Sequence, residues 1–183
     1  MMELYRDQFE IARLRSEKYN LNPPIVKYSN DTFLTDTFKE KLPYLLLEEY
    51  EGVIRGADMY ANCMGLHYKV KPVIEEYLSS DVYFTLGYAS IYAKNIFYLD
   101  DELIENLLEN GLQEQPTIHA WLTLPTMEII DFTLPFTIDR NKGRGRAIAN
   151  HADKLTGGMK YNPILIGDTF LRKIGGLIEF NKI

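Results

Sequence analysis

The chain holds one cysteine, Cys63, in the run Y-A-N-C-M-G-L-H. Fifty-six residues later T-I-H-A-W-L-T-L carries His119, and twelve residues after that M-E-I-I-D-F-T-L carries Asp131. A thiol, an imidazole and a carboxylate in this order are the residue types of an acyl-transfer site: a sulfur that attacks a carbonyl, a ring that moves its proton, and an acid that orients the ring. A thiol attacks poorly and a thiolate well, and the unpaired N–H groups and dipole of a helix N-terminus favour the thiolate. Asn62 is of the type that caps helices, which places Cys63 in a first turn. The Cys63 N–H then offers half of an oxyanion hole. Asn62, Tyr60 and Gln8 are candidates for the second donor.

The elements that must position these groups are read from periodicity. Residues 63–78 show a helical pattern through Met64, Leu66, His67, Val70, Val73, Ile74 and Tyr77, interrupted by Pro72. Residues 118–124 and 128–134 are predicted strands joined through Pro125-Thr126, an antiparallel pair. In a symmetric hairpin about that turn His119 and Asp131 are direct cross-strand partners. Around this centre the spacing predicts a helix over 3–19, a short strand over 25–28, a helix over 31–46 with a break at Pro43, and strands over 81–91 and 94–99. A helix over 100–110 has acidic residues at its start and Gly111 at its end. Short helices over 147–155 and 164–173 and a strand over 177–180 complete the reading, and 48–61 bends into the Cys63 helix. This is an α+β pattern, a helical N-terminal part followed by a Cys-bearing helix packed on an antiparallel sheet, within one domain over 1–183.

N-C-M-G-L-H, V-Y-F-T-L-G-Y, H-A-W-L-T-L and I-I-D-F-T-L together resemble the core of transglutaminase-like cysteine enzymes, a branch of the papain-like superfamily. Their pattern is a Cys at a helix start, a strand about twenty residues on, a His-Ala-Trp strand and an Asp-x-Thr strand. The resemblance spans roughly residues 60–135. It implies a papain/transglutaminase-like fold, with Cys63 as nucleophile, His119 as base and Asp131 as orienter. It also implies peptide or amide hydrolysis, glutamine deamidation or cross-linking, or small acyl transfer. Three features depart from the pattern: Tyr60, Ala61 and Asn62 precede the cysteine where the family often has glycine or tryptophan, the spacing from His119 to Asp131 is short and demands a tight hairpin, and a helix over 100–110 separates the first strand from the His strand.

With 183 residues, 46 % apolar and 25 % charged, the chain has the size and composition of a globular domain with a hydrophobic core. A formal net charge of −6 argues against nucleic acid as a partner. The local exception is D-R-N-K-G-R-G-R, where Arg140, Lys142, Arg144 and Arg146 make a turn that either holds an anion or is a solvated hairpin tip. One cysteine excludes an intramolecular disulfide. The N-terminal run has no apolar h-region, and no window approaches eighteen apolar residues, so neither a secretory signal nor a membrane span is expected. A reducing cytoplasm suits a lone reactive thiol, although export by signal-independent machinery leaves the same trace.

Each candidate also has a plainer role. A lone cysteine is commonly a small core residue, a histidine in an apolar strand a satisfied core group, and Trp121 a packing residue that shields its neighbours from water. Asp131, between Ile130 and Phe132, needs a partner wherever it is buried. His67, four residues after Cys63, would be half of a zinc site, but His151 is the only other uncommitted histidine and no second cysteine exists. The expectation is therefore a cysteine hydrolase or acyltransferase with a Cys63–His119–Asp131 triad, acting on a peptide or protein amide. No metal or organic cofactor is expected. The alternatives are an inactive interaction module on the same fold and an anion- or nucleic-acid-binding protein using 140–146, the latter opposed by the net charge.

Overall fold

Strands from both halves of the chain build an antiparallel sheet with an apolar layer on each face. The computed structural model describes residues 4–49, 62–112, 117–139 and 146–177. Among these the elements are α1 (Tyr5–Lys18), α2 (Asp36–Glu49), α3 (Cys63–Leu78), β1 (Tyr83–Ile91), β2 (Lys94–Asn95), α4 (Asp101–Asn110), β3 (His119–Thr123), β4 (Glu128–Asp131), α5 (Leu134–Ile138), β5 (Ile148–His151), a 3-10 turn at Ala152–Lys154, β6 (Met159–Ile166) and α6 (Thr169–Ile174). The strands form one six-stranded sheet in the order β2-β1-β3-β4-β5, with β6 along the other edge of β1. Every pairing is antiparallel. The α+β class expected from the pattern is the class observed.

Alternation along the strands sorts side chains between the layers. Ala120, Leu122 and Ile130 face one way and join Leu66, Val70 and Ile74 of α3, with Leu42, Leu45 and Leu46 of α2 behind them. The spacing of four between Leu66, Val70 and Ile74 lines one face of α3, and all three have no exposed surface. Truncating any of them to alanine would cost about 2–5 kcal/mol. Trp121 and Ile129 face the other way and pack with Tyr5, Phe9 and Ala12 of α1.

A directed hydrogen-bond chain docks α1 on that second face. Trp121 Nε1–H donates to the Tyr5 hydroxyl at 2.8 Å, and Tyr5 and Thr123 hydroxyls lie 2.9 Å apart. Thr123 and Thr85 Oγ1 atoms are 2.8 Å apart, and Thr85 donates to the Tyr83 carbonyl at 3.2 Å. Each hydroxyl has one proton, so the order is forced: Trp121 to Tyr5 to Thr123 to Thr85 to the backbone. Every member of this fully buried chain is satisfied.

Several predicted boundaries move for identifiable reasons. The stretch over 164–173 is not one helix: β6 runs through Ile166 and only Thr169–Ile174 is helical. Pro163 argues locally against a strand, but it sits on an edge strand opposite Gly87, where the β1–β6 register shifts in a bulge. Residues 147–155 are not a helix either, because Ile148–His151 pair with β4. The predicted strand over 128–134 ends at Asp131, and Leu134–Ile138 turn into α5 with a proline in its first turn. Residues 25–28 have no strand pairing, and 94–99 contributes only two strand residues. Pro43 lies inside α2 without ending it. The last predicted strand falls, after Leu177, outside the described residues, as does most of the bend before Cys63.

The hairpin that carries His119 and Asp131 is offset from the symmetric one. Met127 has φ 63°, so the loop is Pro125-Thr126-Met127, closed by Leu124 N–H to Glu128 O at 2.8 Å. Leu122 then pairs with Ile130 and Thr123 with Ile129. The position opposite Asp131 belongs to Trp121, and His119 is a diagonal neighbour. A two-residue offset keeps both side chains on one face, because the pleat has period two.

Candidate active site

Cys63 is the first residue of α3, with Asn62 as N-cap. The Asn62 side chain makes no capping hydrogen bond; its Oδ1 lies where a Cβ on Gly65 would be only 2.5 Å away. The glycine therefore leaves room for the carboxamide beside the cysteine. Cys63 belongs to the α3 layer and reaches the start of β3 from that side: its thiol donates to the Ile118 carbonyl at 3.7 Å, the residue before His119. The Cys63 residue is 6 % exposed.

His119 opens β3 opposite Gly87 of β1. Its Nε2–H donates to Asp131 Oδ2 at 2.6 Å. Its Nδ1 is buried and has no hydrogen-bond partner among the described residues. The Cys63 thiol is a near neighbour of the ring and contributes to its affinity for a proton. Burial alone pushes the His119 pKa down, but the Asp131 carboxylate and then Cys63 overcome that and raise it to about 10. Phe97 stacks on the ring at 4.7 Å and 7° between planes, with Trp121 at 5.9 Å and Tyr161 at 6.2 Å. This aromatic enclosure keeps water off the His119–Asp131 pair and strengthens their interaction.

Asp131 ends β4, and its position there explains D-F-T. Oδ1 accepts from Thr133 N at 2.8 Å, Thr133 Oγ1 at 3.0 Å and Leu134 N at 3.0 Å, so one oxygen caps the turn into α5. Oδ2 is left for His119 and for the Tyr161 hydroxyl, which donates to it at 2.7 Å. Burial raises a carboxyl pKa, yet His119 first and these other donors hold Asp131 well below the usual carboxylate range. Burial and the adjacent carboxylate push the Tyr161 pKa well above its ordinary value, so the phenol keeps its proton and donates.

His67 lies one helical turn after Cys63 with no exposed surface. Its Nδ1 is 2.7 Å from the Cys63 carbonyl and its Nε2 accepts from Phe132 N–H at 3.1 Å. Both nitrogens are thus occupied by backbone, which disposes of the half-zinc-site reading. Among the described residues no group of three or more His, Cys, Asp and Glu could hold a metal ion.

The three residues singled out in the sequence are thereby brought together around one ring. Tyr161 was not legible: G-G-M-K-Y-N-P-I-L-I-G-D has no motif, and only β6 pairing with β1 carries the phenol to Asp131. Of the second-donor candidates, Asn62 adjoins Cys63, Gln8 lies on α1 in the opposite layer, and Tyr60 is outside the described residues. Arg140, Lys142 and Arg144 are likewise outside them, while Arg146 is exposed. No helix among the described residues is long and apolar enough to cross a membrane. Comparison of the chain with protein-family models, curated proteins and solved structures gives no match.

Proposed function

We propose that the protein is a thiol-dependent amide hydrolase or acyl transferase acting on a peptide or protein through Cys63, His119 and Asp131, on a papain/transglutaminase-like core. The observation that carries this reading is the state of His119. One ring nitrogen is bound to a buried carboxylate at 2.6 Å, and the other is buried, unbonded and beside the only thiol of the chain. A purely structural histidine satisfies both nitrogens, as His67 does.

In this mechanism the proton given up by Cys63 rests on Nδ1 of His119, and the thiolate bonds to the substrate carbonyl carbon. The oxyanion that forms is stabilised by the Cys63 N–H at the helix start and by the Asn62 carboxamide. Collapse breaks the C–N bond, and Nδ1–H returns its proton to the leaving amine, leaving a thioester. Water, or an acceptor amine, gives its proton to Nδ1 and attacks the thioester; sulfur leaves as the thiolate, beside the imidazolium that restores the resting pair. Asp131 keeps Nε2 protonated throughout, so only Nδ1 exchanges protons.

The test is alkylation of Cys63 by iodoacetamide near neutral pH, followed by mass spectrometry, together with turnover of a peptide-amide library. The wild-type protein reacts at least about tenfold faster than His119→Ala, and Cys63→Ala neither labels nor turns over. Equal labelling of wild type and His119→Ala, or turnover retained in Cys63→Ala, removes the assignment.

A second reading, an inactive interaction module, is favoured by the 6 % exposure of Cys63 and the hydrogen bond of its thiol to Ile118. It requires a thiol that does not react with iodoacetamide in the folded protein.

A further inference from the structure

We infer that His67 is a positioning residue, bridging the first turn of α3 to the end of β4 and so setting where Cys63 stands relative to the His119–Asp131 pair. The inference rests on the proposed thiol chemistry and adds a fourth residue to it.

The tautomer follows from the partners. The Phe132 backbone N–H can only donate, so Nε2 of His67 is an acceptor with no proton. The proton is on Nδ1 and donates to the Cys63 carbonyl. That carbonyl begins α3, and Phe132 directly follows Asp131. A rigid ring thus ties the peptide unit of the nucleophile to the peptide unit of the orienter, and it is fixed sideways by stacking on Phe132 at 5.8 Å. Among the described residues, no other side chain of the site hydrogen-bonds the backbone of both.

The same tautomer keeps Asp131 for His119. Nε2 of His67 is 3.5 Å from Asp131 Oδ1. Carrying a proton there, it would turn from Phe132 to the carboxylate and compete with His119 for its charge. Held as an acceptor, it leaves Asp131 Oδ1 to Thr133 and Leu134 and the charge of the carboxylate to His119 on Oδ2. Burial agrees, pushing the His67 pKa down to about 4.

The experiment uses His67→Asn, which preserves a donor for the Cys63 carbonyl, and His67→Gln, which preserves an acceptor for Phe132 N–H; neither side chain spans both. Alkylation by iodoacetamide is measured at pH 7 and at pH 10, where an unassisted thiol is ionised. In both variants the pH 7 rate falls at least about tenfold below wild type while the pH 10 rate stays within about threefold. A role confined to stability gives a different profile, because a loosened fold exposes the sulfur and speeds labelling at both pH values. That profile, or wild-type rates at both, overturns the inference. His119→Ala is run in parallel. If it slows labelling at pH 7 and the His67 variants do not, only the inference fails; if none of them slows it, the thiol–imidazole reading fails as well. Should neither His67 variant fold, 15N NMR of the wild-type ring decides: an Nδ1–H tautomer at pH 7 is expected, and an Nε2–H tautomer or an imidazolium overturns it.

Discussion

The phenol of Tyr161 and the imidazole of His119 donate to the same oxygen, Asp131 Oδ2, at 2.7 and 2.6 Å. They come from strands on opposite sides of β1, so β1 holds apart the two donors that Asp131 brings together. Tyr161→Phe removes one charge-assisted bond and changes little volume. It is expected to lower stability by about 1.5–3 kcal/mol and to raise the Asp131 pKa. Urea denaturation and the carboxyl chemical shift of Asp131 report the two effects.

Asp131→Asn leaves the shape in place and removes the charge. The amide oxygen can still cap Thr133 and Leu134, but His119 loses its ion-pair partner inside an aromatic enclosure. The expected cost is about 3–5 kcal/mol, the range for breaking a buried pair from one side. Alkylation of Cys63 at pH 7 falls with it. A melting temperature unchanged from wild type would show that the pair is not charged in the native state.

Stability should fall on both sides of about pH 6.5, and the two flanks belong to different histidines. The native state holds His67 neutral, with its pKa lowered by burial to about 4, whereas the unfolded chain takes up the proton near 6.5. Its contribution is complete above that value and is lost as pH falls toward 4, by up to about 3 kcal/mol. Asp131, with a lowered pKa, adds to the acid loss at still lower pH. His119 has the opposite sign: raised to about 10, its contribution is complete below about 6.5 and is lost as pH rises toward 10. Chemical denaturation at pH 4.5, 6.5 and 9 measures both flanks; His67→Asn flattens the acid one and His119→Gln the alkaline one.

Gly87 faces His119 across the β1–β3 pair, and a Cβ there would stand 2.1 Å from the Asn162 carbonyl oxygen and 2.9 Å from Trp121 Cη2. Neither neighbour can yield: one is β6 backbone and the other a ring with no exposed surface. Gly87→Ala is therefore expected to destabilise by more than about 2 kcal/mol and to disturb the enclosure of His119. Thermal unfolding checks the first effect and Trp121 fluorescence the second.

Local chemistry written in the sequence anticipates the helix start at Cys63, the strands of His119 and Asp131, and the helix whose N-cap, Asp100, accepts from Leu103 N–H at 2.9 Å. Each depends on neighbours within a few residues: a cap type, a period of two, a period near 3.6. The hairpin register did not follow, because it turns on Met127 adopting φ 63°, which a non-glycine residue rarely advertises. Nor did the strand through Pro163, which exists because β1 supplies a bulge and an edge for it. Tyr161 and His67 lie beyond local reading for the same reason. Nothing within several positions of either residue distinguishes it from a core aromatic or a core histidine. Tyr161 finds its partner 30 residues away, and His67, whose bond to Cys63 is local, acquires its bridging role only through Phe132, 65 residues away. Residue type and short-range spacing determined which groups were available for chemistry; long-range pairing decided which of them share one carboxylate.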